Sequence, residues 1–418
     1  MELNFKIKDN SKKNLKQRET NLLSFHKKGF PNKREEEWKF TDLNKILNDN
    51  FKELNNKKLE KKKPKIKNLD FNHNSIVLIN GKLDSSDFKL ENFKDKNTII
   101  IKESDLNHHL NFADELKNNV MQNLNTALHE DGFTINISSD YKFKYPIIIY
   151  NYFSGNLKNK IINNSEIINV SKNSNATILE YLIDESDGNF FKNTFKYLNI
   201  EKDASLNYFF INKNQSNNFF YEFSKVNLST NSNFKKYIFS SGVKFCKFEN
   251  NIKLDGVNSN GEVYSSLFLV DNNHQEIKTN IQHLKPSCQS HQNIKKVLTA
   301  GSKGVFQGKI FVDQIAQKTN AYQLSKGLLI DEDTDFSTKP ELEIYADDVK
   351  CSHGSTSGNI DKDALFYLKA RGIEEKEAIK MIILGFLESV YKNINDKKIK
   401  DILVNHFNTH IKYENRSN

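Results

Sequence analysis

The stretch that most constrains the fold runs from about residue 74 to residue 360, where short apolar runs alternate with polar turns. The runs are rich in β-branched and aromatic residues, and Asn, Asp, Ser and Gly separate them, as in SIVLING, YPIIIYNYF, SLNYFFIN, GEVYSSLFLV and AYQLSKGLLI. Each run begins about a dozen residues after the previous one, which is the pattern of regularly spaced β-strands. The stretch therefore predicts an all-β sandwich, barrel or solenoid.

Among these three architectures, the number of strands favours the solenoid. More than a dozen strands follow one another over about 270 residues, which suits a chain wound coil upon coil so that neighbouring coils cover each other's edges. No strict repeat is visible, so periodicity alone does not specify the type of coil. One interruption, from Leu106 to His129, contains His108 and His109 and predicts a helix between strands.

Helical signals precede the strands. Leu15, Leu22 and Phe25 lie near helical spacing, and a second helical piece follows within PNKREEEWKFTDL. The only tryptophan, Trp38, lies in this piece, and we expect it to anchor the piece on the β body. A dense lysine run then predicts a solvated linker. Residues 1–73 are accordingly expected to form an N-terminal helical domain and linker, and residues 74–360 the β core.

Three helices are predicted after the strands, in a C-terminal domain of residues 361–418. Asp361 is a suitable N-cap for the first helix, and Gly372 is a favoured residue just beyond its end. The second helix has an apolar face that includes Phe386 and Leu387, and the third repeats apolar residues at helical spacing. This apolar surplus is enough for the helices to pack on each other and to leave a face for a partner.

Charge and cysteine content narrow the class of function. The net charge of +9 comes mostly from scattered lysines, which disfavours a nucleic-acid partner, and Asn and Lys are expected to fill solvent-facing positions. The 31 Phe and 15 Tyr exclude a disordered chain. Three cysteines cannot build a disulfide framework, and no apolar run is long enough to span a bilayer or to act as a leader. A soluble cytoplasmic protein without a membrane partner is therefore expected.

Cys351 and His353 lie at the seam between the strands and the C-terminal helices, within DDVKCSHGSTSG. Side chains two residues apart on a strand share a face, so the thiol and the imidazole should project together. Such a pair suits iron, zinc or copper(I). Two ligands do not close a metal site, so the others have to come from Cys288 and His291 of PSCQSHQ or from another chain.

Two hypotheses of an enzymatic role have weaker support than the metal site. A thiolate beside an imidazolium can act as nucleophile and base, but a pair on one short strand indicates no substrate pocket. The run from Gly304 to Ile310 resembles a phosphate-binding loop, yet it has one residue too few between Gly304 and Gly308 and an isoleucine where magnesium needs Ser or Thr. The chain is therefore not expected to hydrolyse nucleotide itself.

The residues around the seam resemble a known family. The runs HLKPSCQSHQ, GVFQGKIFVDQIAQKTNAYQ, LLIDEDTDFSTKPELEIYADDVKCSHGSTSG and ALFYLKARGI closely resemble the C-terminal half of the SufB/SufD family of iron–sulfur cluster assembly proteins. The segment PNKREEEWKFTDL is similar to an N-terminal motif of the SufD branch. The small-residue run after His353, and the lack of a cysteine-bearing N-terminal region, make the chain most like SufD.

The resemblance implies a right-handed parallel β-helix core flanked by N-terminal and C-terminal α-helical domains. It also implies a non-enzymatic scaffold subunit that pairs with SufB through the β-helix and binds the ATPase SufC through the C-terminal helices, with ATP bound only by SufC. His353 matches the family's histidine at the SufB–SufD interface, where a transient iron–sulfur cluster is shared with SufB, and Cys351 belongs to the same motif. A homodimer of the chain is a further possibility.

Several alternatives stay open from the sequence. One is a SufB-like primary scaffold that binds a cluster alone, and another is a β-helix that binds polysaccharide. A third is a self-contained zinc-binding protein that uses Cys288, His291, Cys351 and His353. For the scaffold reading, a charge at Phe386 or Leu387 is expected to weaken SufC binding.

Overall fold

The dominant feature of the computed structural model is a parallel β-solenoid of about 8 turns, which confirms the solenoid prediction. The structure describes residues 1–7, 14–59, 62, 64–91, 98–103, 119–392 and 394–411. His108 and His109, with most of the helix predicted around them, lie outside these residues, as do Lys61 and Lys63 of the predicted linker. The part of that helix that is described runs from Val120 to Leu128.

The strands follow one another along nearly the whole chain. In order they are β1 (Glu2–Asn4), β2 (Glu53–Asn55), β3 (Asn74–Ile79), β4 (Lys82–Asp87), β5 (Ile99–Glu103), β6 (Asp131–Ile137), β7 (Ile147–Asn156), β8 (Lys160–Val170), β9 (Asn175–Asp187), β10 (Phe190–Ile200), β11 (Ser205–Asn212), β12 (Ser216–Leu228), β13 (Asn233–Ser241), β14 (Val243–Leu254), β15 (Asn260–Leu269), β16 (His274–His283), β17 (Gln289–Leu298), β18 (Lys303–Val312), β19 (Thr319–Leu329), β20 (Asp335–Ile344) and β21 (Val349–Asn359).

Helices lie before, within and after this series of strands. The described helices are α1 (Leu15–Lys28), α2 (Leu43–Asn50), α3 (Val120–Leu128), α4 (Lys362–Ala370), α5 (Glu375–Tyr391) and α6 (Lys397–His410), with 3-10 turns at Glu36–Trp38 and Lys89–Glu91. No described helix is both long enough and apolar enough to cross a membrane. The division at residues 73/74 and 360/361 stays a proposal, since β1 and β2 already belong to the sheets.

Two sheets run along the solenoid, and the chain alternates between them. Sheet A has the order β1-β2-β8-β10-β12-β14-β16-β18-β20, and sheet B has the order β21-β19-β17-β15-β13-β11-β9-β7-β3-β4. Within sheet B, Asn233, Asn260, Gln289 and Asn320 occupy the same register position, so successive coils take 27, 29 and 31 residues. This variation in coil length explains why no strict repeat is visible in the sequence.

Asparagine has a structural role at the corners of the coils. Among the described residues, ten of the thirteen non-glycine residues with positive φ are Asn or Asp, the types that adopt this conformation most readily. At one corner the side chains also bond from coil to coil. Asn231 Nδ2 donates to Asp203 Oδ1 at 2.9 Å, and Asn258 Nδ2 donates to Asn231 Oδ1 at 3.0 Å. Asparagine residues therefore stabilise the corners of the coils, both by adopting positive φ and by forming hydrogen bonds between coils.

The space between the two sheets holds charged side chains as well as apolar ones. Lys196 lies at the centre of this group, with its Nζ 3.2 Å from Glu166, 2.9 Å from Glu222 and in direct contact with Glu180. Each charge is buried and paired, which offsets much of its desolvation cost. The buried ionic cluster comprises three lysines and three glutamates: Lys192, Lys196, Lys236, Glu166, Glu180 and Glu222. The expectation that lysines face solvent is therefore only partly right.

The N-terminal helices cover the outer face of sheet A. Trp38 is buried there and stacks on Tyr221 of β12, with ring centroids 5.5 Å apart. Lys247 Nζ lies 3.7 Å from the centroid of the Trp38 ring and donates to the Glu37 carbonyl at 2.8 Å. Thr41 adds hydrogen bonds to His274 and Glu276 of β16. The prediction that Trp38 anchors this segment on the β body is confirmed.

The C-terminal helices cover the outer face of sheet B. The Asp361 side chain accepts from the backbone N–H groups of Asp363 and Ala364 at 2.9 and 3.2 Å, as predicted for an N-cap. Gly372 follows the end of α4 with a φ of 84°, as predicted for a residue just beyond a helix. Helices α5 and α6 bury an apolar face against the sheet, whereas α4 buries none of its residues.

Candidate functional site

The two ends of the solenoid differ. At the first end, β4 pairs antiparallel with β3, and β5 pairs antiparallel with β6. At the other end, β20 pairs only with β18 and β21 only with β19 among the described residues. We call β20 and β21 together the open end. Strands of 10 and 11 residues with an unpaired edge are templates for pairing with another chain.

Strand β21 places Cys351 and His353 on one face, as predicted. Cys351 is in register with Ala321 of β19, and His353 is in register with Gln323. Ala321 and Gln323 are both buried, so this face continues the interior of the solenoid. Cys351 is half-buried against an apolar group that includes Val312, whereas His353 is exposed because no further coil covers it.

The two side chains differ in their surroundings. Burial raises the pKa of the Cys351 thiol, against the opposing effect of a backbone hydrogen bond from Ala321. The thiol is therefore protonated at neutral pH, and binding a metal there must release its proton. The His353 imidazole has no hydrogen-bond partner in the part of the chain that the structure describes, which leaves its ring nitrogens open to a ligand from outside the chain.

Cys288 and His291 do not join this pair. The Cys288 thiol is buried in the interior, where it donates to the Gly256 carbonyl at 3.2 Å. His291 projects from the opposite face of sheet B, and its ring lies between Tyr264 and Tyr322, with centroids 5.5 and 5.2 Å away. No group of three or more His, Cys, Asp or Glu side chains suited to a metal occurs among the described residues. The structure therefore contradicts the four-ligand zinc alternative.

The glycines of the loop-like run from Gly304 to Ile310 have a packing role. They lie in strand β18 and face the interior. A Cβ on Gly304 would lie 2.9 Å from Cδ of Lys296, and a Cβ on Gly308 would lie 2.5 Å from Oε1 of Gln323. Both glycines therefore make room for long side chains from sheet B, and the expectation that this run is not a phosphate loop agrees with its place in a strand.

A line of buried polar side chains leads from the interior towards the open end. Thr279 Oγ1 donates to Gln292 Oε1 at 2.5 Å, and Gln292 Nε2 donates to Gln323 Oε1 at 3.3 Å. Gln323 Nε2 in turn donates to the Gly308 carbonyl at 3.3 Å. We call Thr279, Gln292 and Gln323 the polar line. It was not predicted from the sequence, although Gln292 and Gln323 recur at matching positions of adjacent strands.

The C-terminal helices expose a second surface. Phe366 and Tyr367 of α4 are 74% and 56% exposed, and Met381 of α5 is 45% exposed. We call these three residues the aromatic patch. Leu387, by contrast, is fully buried, and the Phe386 ring lies under Lys295 Nζ at 4.5 Å. These two residues pack α5 on sheet B, so a charge at Leu387 would also disturb that packing, and the expected loss of SufC binding stays a prediction.

Comparison with known proteins identifies the family. A family model described as "SUF system FeS cluster assembly, SufBD core domain" matches residues 153–386. A second one, described as "SufBD protein N-terminal region", matches residues 2–149. The chain therefore belongs to the SufBD family of the SUF system for iron–sulfur cluster assembly, as the sequence motifs had indicated.

Individual relatives place the chain within that family. The iron-sulfur cluster assembly protein SufD of Escherichia coli is 24% identical over 387 residues, which cover 92% of this chain and 90% of the relative. An iron-sulfur cluster assembly SufBD family protein of Synechocystis is 25% identical, with 87% and 84% of the two chains covered. Protein ABCI7, chloroplastic, of Arabidopsis thaliana is 27% identical, with 66% and 60% covered. The chain is thus a SufD homologue at modest identity.

Proposed function

We propose that this chain is a non-enzymatic, SufD-like scaffold subunit that pairs with SufB through its open end. The observation that carries the proposal is the position of Cys351 and His353 on the last strand of sheet B, whose outer edge has no partner among the described strands. A nascent iron–sulfur cluster is assembled between the two chains, where His353, and with it Cys351, contributes ligands. The chain then holds the cluster only transiently, as a shared product of assembly.

The incompleteness of the ligand pair supports a shared site. Iron–sulfur clusters are commonly held by four protein ligands. The described residues provide two at the open end and bring no third His, Cys, Asp or Glu to them. A second β-solenoid that pairs with the free edges of β20 and β21 supplies the missing ligands, and it also covers backbone groups that are otherwise unpaired.

The aromatic patch supports a second partner. Phe366, Tyr367 and Met381 are large apolar side chains exposed on the C-terminal helices, and we infer that they mark a protein interaction site, as contiguous exposed apolar surfaces do. We propose that SufC, the ATPase of the system, binds there and that ATP is bound only by SufC. We also place the complex in the cytoplasm, since Cys246, Cys288 and Cys351 are all free thiols, as expected in a reducing compartment.

Replacement of His353 tests the function directly. In the complex reconstituted with SufB, SufC, iron and a sulfur source, His353→Ala should lower the yield of cluster, measured by its visible absorption and by iron content. His26→Ala is the control, because His26 is an exposed histidine on α1. Cys351→Ala in the same assay tests the thiol separately.

Two outcomes would contradict the proposal. A wild-type yield with His353→Ala, in a complex of normal subunit composition, would remove His353 from cluster assembly. Stable absorption from one cluster per chain after anaerobic reconstitution of the isolated chain would indicate a SufB-like primary scaffold instead.

A further inference from the structure

Gln292 and Gln323 of the polar line belong to one column of inward-facing side chains on sheet B. On successive strands of sheet B, the inner position in register is Val263, Gln292, Gln323 and finally His353. Lys236 precedes Val263 in the same register, so the column is polar on both sides of Val263, and Gln292 and Gln323 are its last covered side chains before the open end. A buried amide costs free energy unless it is hydrogen-bonded. Once it is hydrogen-bonded, it restricts its neighbours to one arrangement more strictly than an apolar side chain does.

The Gln323 amide is held in one orientation. Its Oε1 accepts from Gln292, and its Nε2 donates to the Gly308 carbonyl. A flipped amide would set two N–H donors against each other and an oxygen against the Gly308 carbonyl oxygen. Gly308 provides the room, since a Cβ there would lie 2.5 Å from Gln323 Oε1. One lone pair of Oε1 and one N–H of Nε2 then remain for a group on the next strand.

His353 is the residue on that next strand. It is in register with Gln323, and paired residues of adjacent strands lie about 4.8 Å apart with side chains on the same face. Gln292 and Gln323, which are paired in the same way, do reach hydrogen-bond distance. The His353 imidazole is the nearest side chain of the column to which Gln323 can extend the polar line.

We propose that Gln323 is a positioning residue for His353. In the assembled complex its Oε1 accepts the N–H of one ring nitrogen, which fixes the tautomer and leaves the lone pair of the other nitrogen for iron. Metal-binding histidines generally donate their second ring N–H to such an acceptor, and its loss typically lowers metal affinity or activity by about 10- to 100-fold. This inference rests on the proposed role of His353.

The test compares two substitutions on the inner face of β19 in the reconstituted complex. Gln323→Met keeps the length of the side chain but removes the acceptor, and it should lower cluster yield about tenfold or more. Ser325→Ala is the matched control, because Ser325 is buried on the same face and its Oγ lacks a hydrogen-bond partner among the described atoms. It should keep the wild-type yield. Both variants should bind SufB and melt near the wild-type temperature.

Rescue separates positioning from packing. Gln323→Glu keeps an acceptor oxygen at the same place and, with its buried carboxyl protonated, also a donor to the Gly308 carbonyl, so it should restore most of the yield. A purely structural defect would not be restored. Wild-type yield with Gln323→Met, or a loss that Gln323→Glu does not restore, would overturn the inference. If Gln323→Met does not fold, Gln292→Met takes its place: it removes the hydrogen bond that orients the Gln323 amide from one coil deeper, and wild-type yield with it would likewise overturn the inference.

The variants also separate this inference from the proposed function. If His353→Ala abolishes assembly while Gln323→Met retains it, His353 acts without Gln323 and only the positioning role is lost. If His353→Ala itself retains the yield, the proposed function has failed whatever Gln323 does.

Discussion

A titratable side chain that is buried inside the solenoid makes the stability of the folded chain depend on pH. His283 is a clear example, because burial is the one cause of its shifted pKa. Its imidazole is fully buried and lies 2.9 Å from the Ser290 hydroxyl. Burial lowers the pKa of His283 to about 4. The unfolded chain, in which a histidine titrates near the ordinary value of about 6.5, therefore binds the proton more tightly than the folded chain does.

This difference predicts the effect of His283→Asn. The contribution of His283 to stability is full above about pH 6.5 and is lost as the pH falls towards 4, by about 1.4 kcal/mol per pH unit. In the variant, the free energy of unfolding should fall less steeply with acid, by the equivalent of about one proton, as measured by urea denaturation between pH 5 and 8. His26→Asn, at an exposed histidine, is the control. An unchanged slope in His283→Asn would show that the pKa of His283 is the same in the folded and the unfolded chain.

A candidate site residue could be predicted from the sequence when its position depends only on its own strand. Cys351 and His353 share a face because they lie two apart within one strand, and that rule needs no tertiary information. Cys288 lies in the corner just before β17 begins at Gln289, so strand alternation did not apply to it. Gln323 could not be recognised, because its partners come from other coils whose register is set only by the complete winding.

At the level of secondary structure, α4 is the helix in which the residues that stabilise it differ most clearly from those proposed to bind a partner. It is capped at both ends but buries none of its residues. A helix of 9 residues is marginal in isolation, so its order depends on caps and on neighbouring helices. Its exposed Phe366 is therefore not needed to hold the helix in place, and it remains available to a partner.

Phe366→Glu should weaken capture of SufC in a pull-down while leaving the melting temperature within about a degree, since exposed positions contribute little to stability. Leu387→Glu provides the contrast, because it places a charge in the fully buried face of α5 and should lower the melting temperature strongly. Equal capture of SufC by wild type and Phe366→Glu would place that interface elsewhere on the chain.

The helices of the C-terminal unit were largely predictable, whereas the coils were not. Asp361 and Gly372 act on their own helix ends, so their roles follow from the sequence. The coil lengths, such as the 27, 29 and 31 residues of three successive coils in sheet B, depend instead on how many residues each corner takes up. The predicted regularity therefore identified a solenoid but could not align its strands.

At the scale of the whole molecule, the contrast between the two ends determines where the chain can associate. A stack of coils needs a cap where its last edge meets solvent. The antiparallel strand β4 lies at the first end, whereas β20 and β21 leave their outer edges unpaired within the described chain. The isolated chain should consequently self-associate through the open end, and SufB should displace that contact.

Added lysines on an edge strand oppose strand pairing, so the double variant Thr356→Lys and Ser357→Lys in β21 should shift the isolated chain towards monomer in sedimentation velocity. It should also weaken SufB capture. The same two charges at Ser85 and Ser86 of β4 form the control, since these serines are exposed at the opposite end. Loss of association in the control but not in the β21 variant would place the contact at the first end of the solenoid and contradict the prediction.

The buried ionic cluster also bears on how the chain winds correctly. Each coil of a solenoid contacts mainly its neighbours, so a chain that skips one coil can still stack strand on strand. Lys196, however, meets Glu166 from the coil before, Glu222 from the coil after and Glu180 from the facing sheet. A skipped coil would separate this lysine from at least one of its carboxylates and leave a buried charge uncompensated. The cluster therefore disfavours a chain in which the coils stack in the wrong order. The irregular repeat alone does not distinguish the correct order from a wrong one.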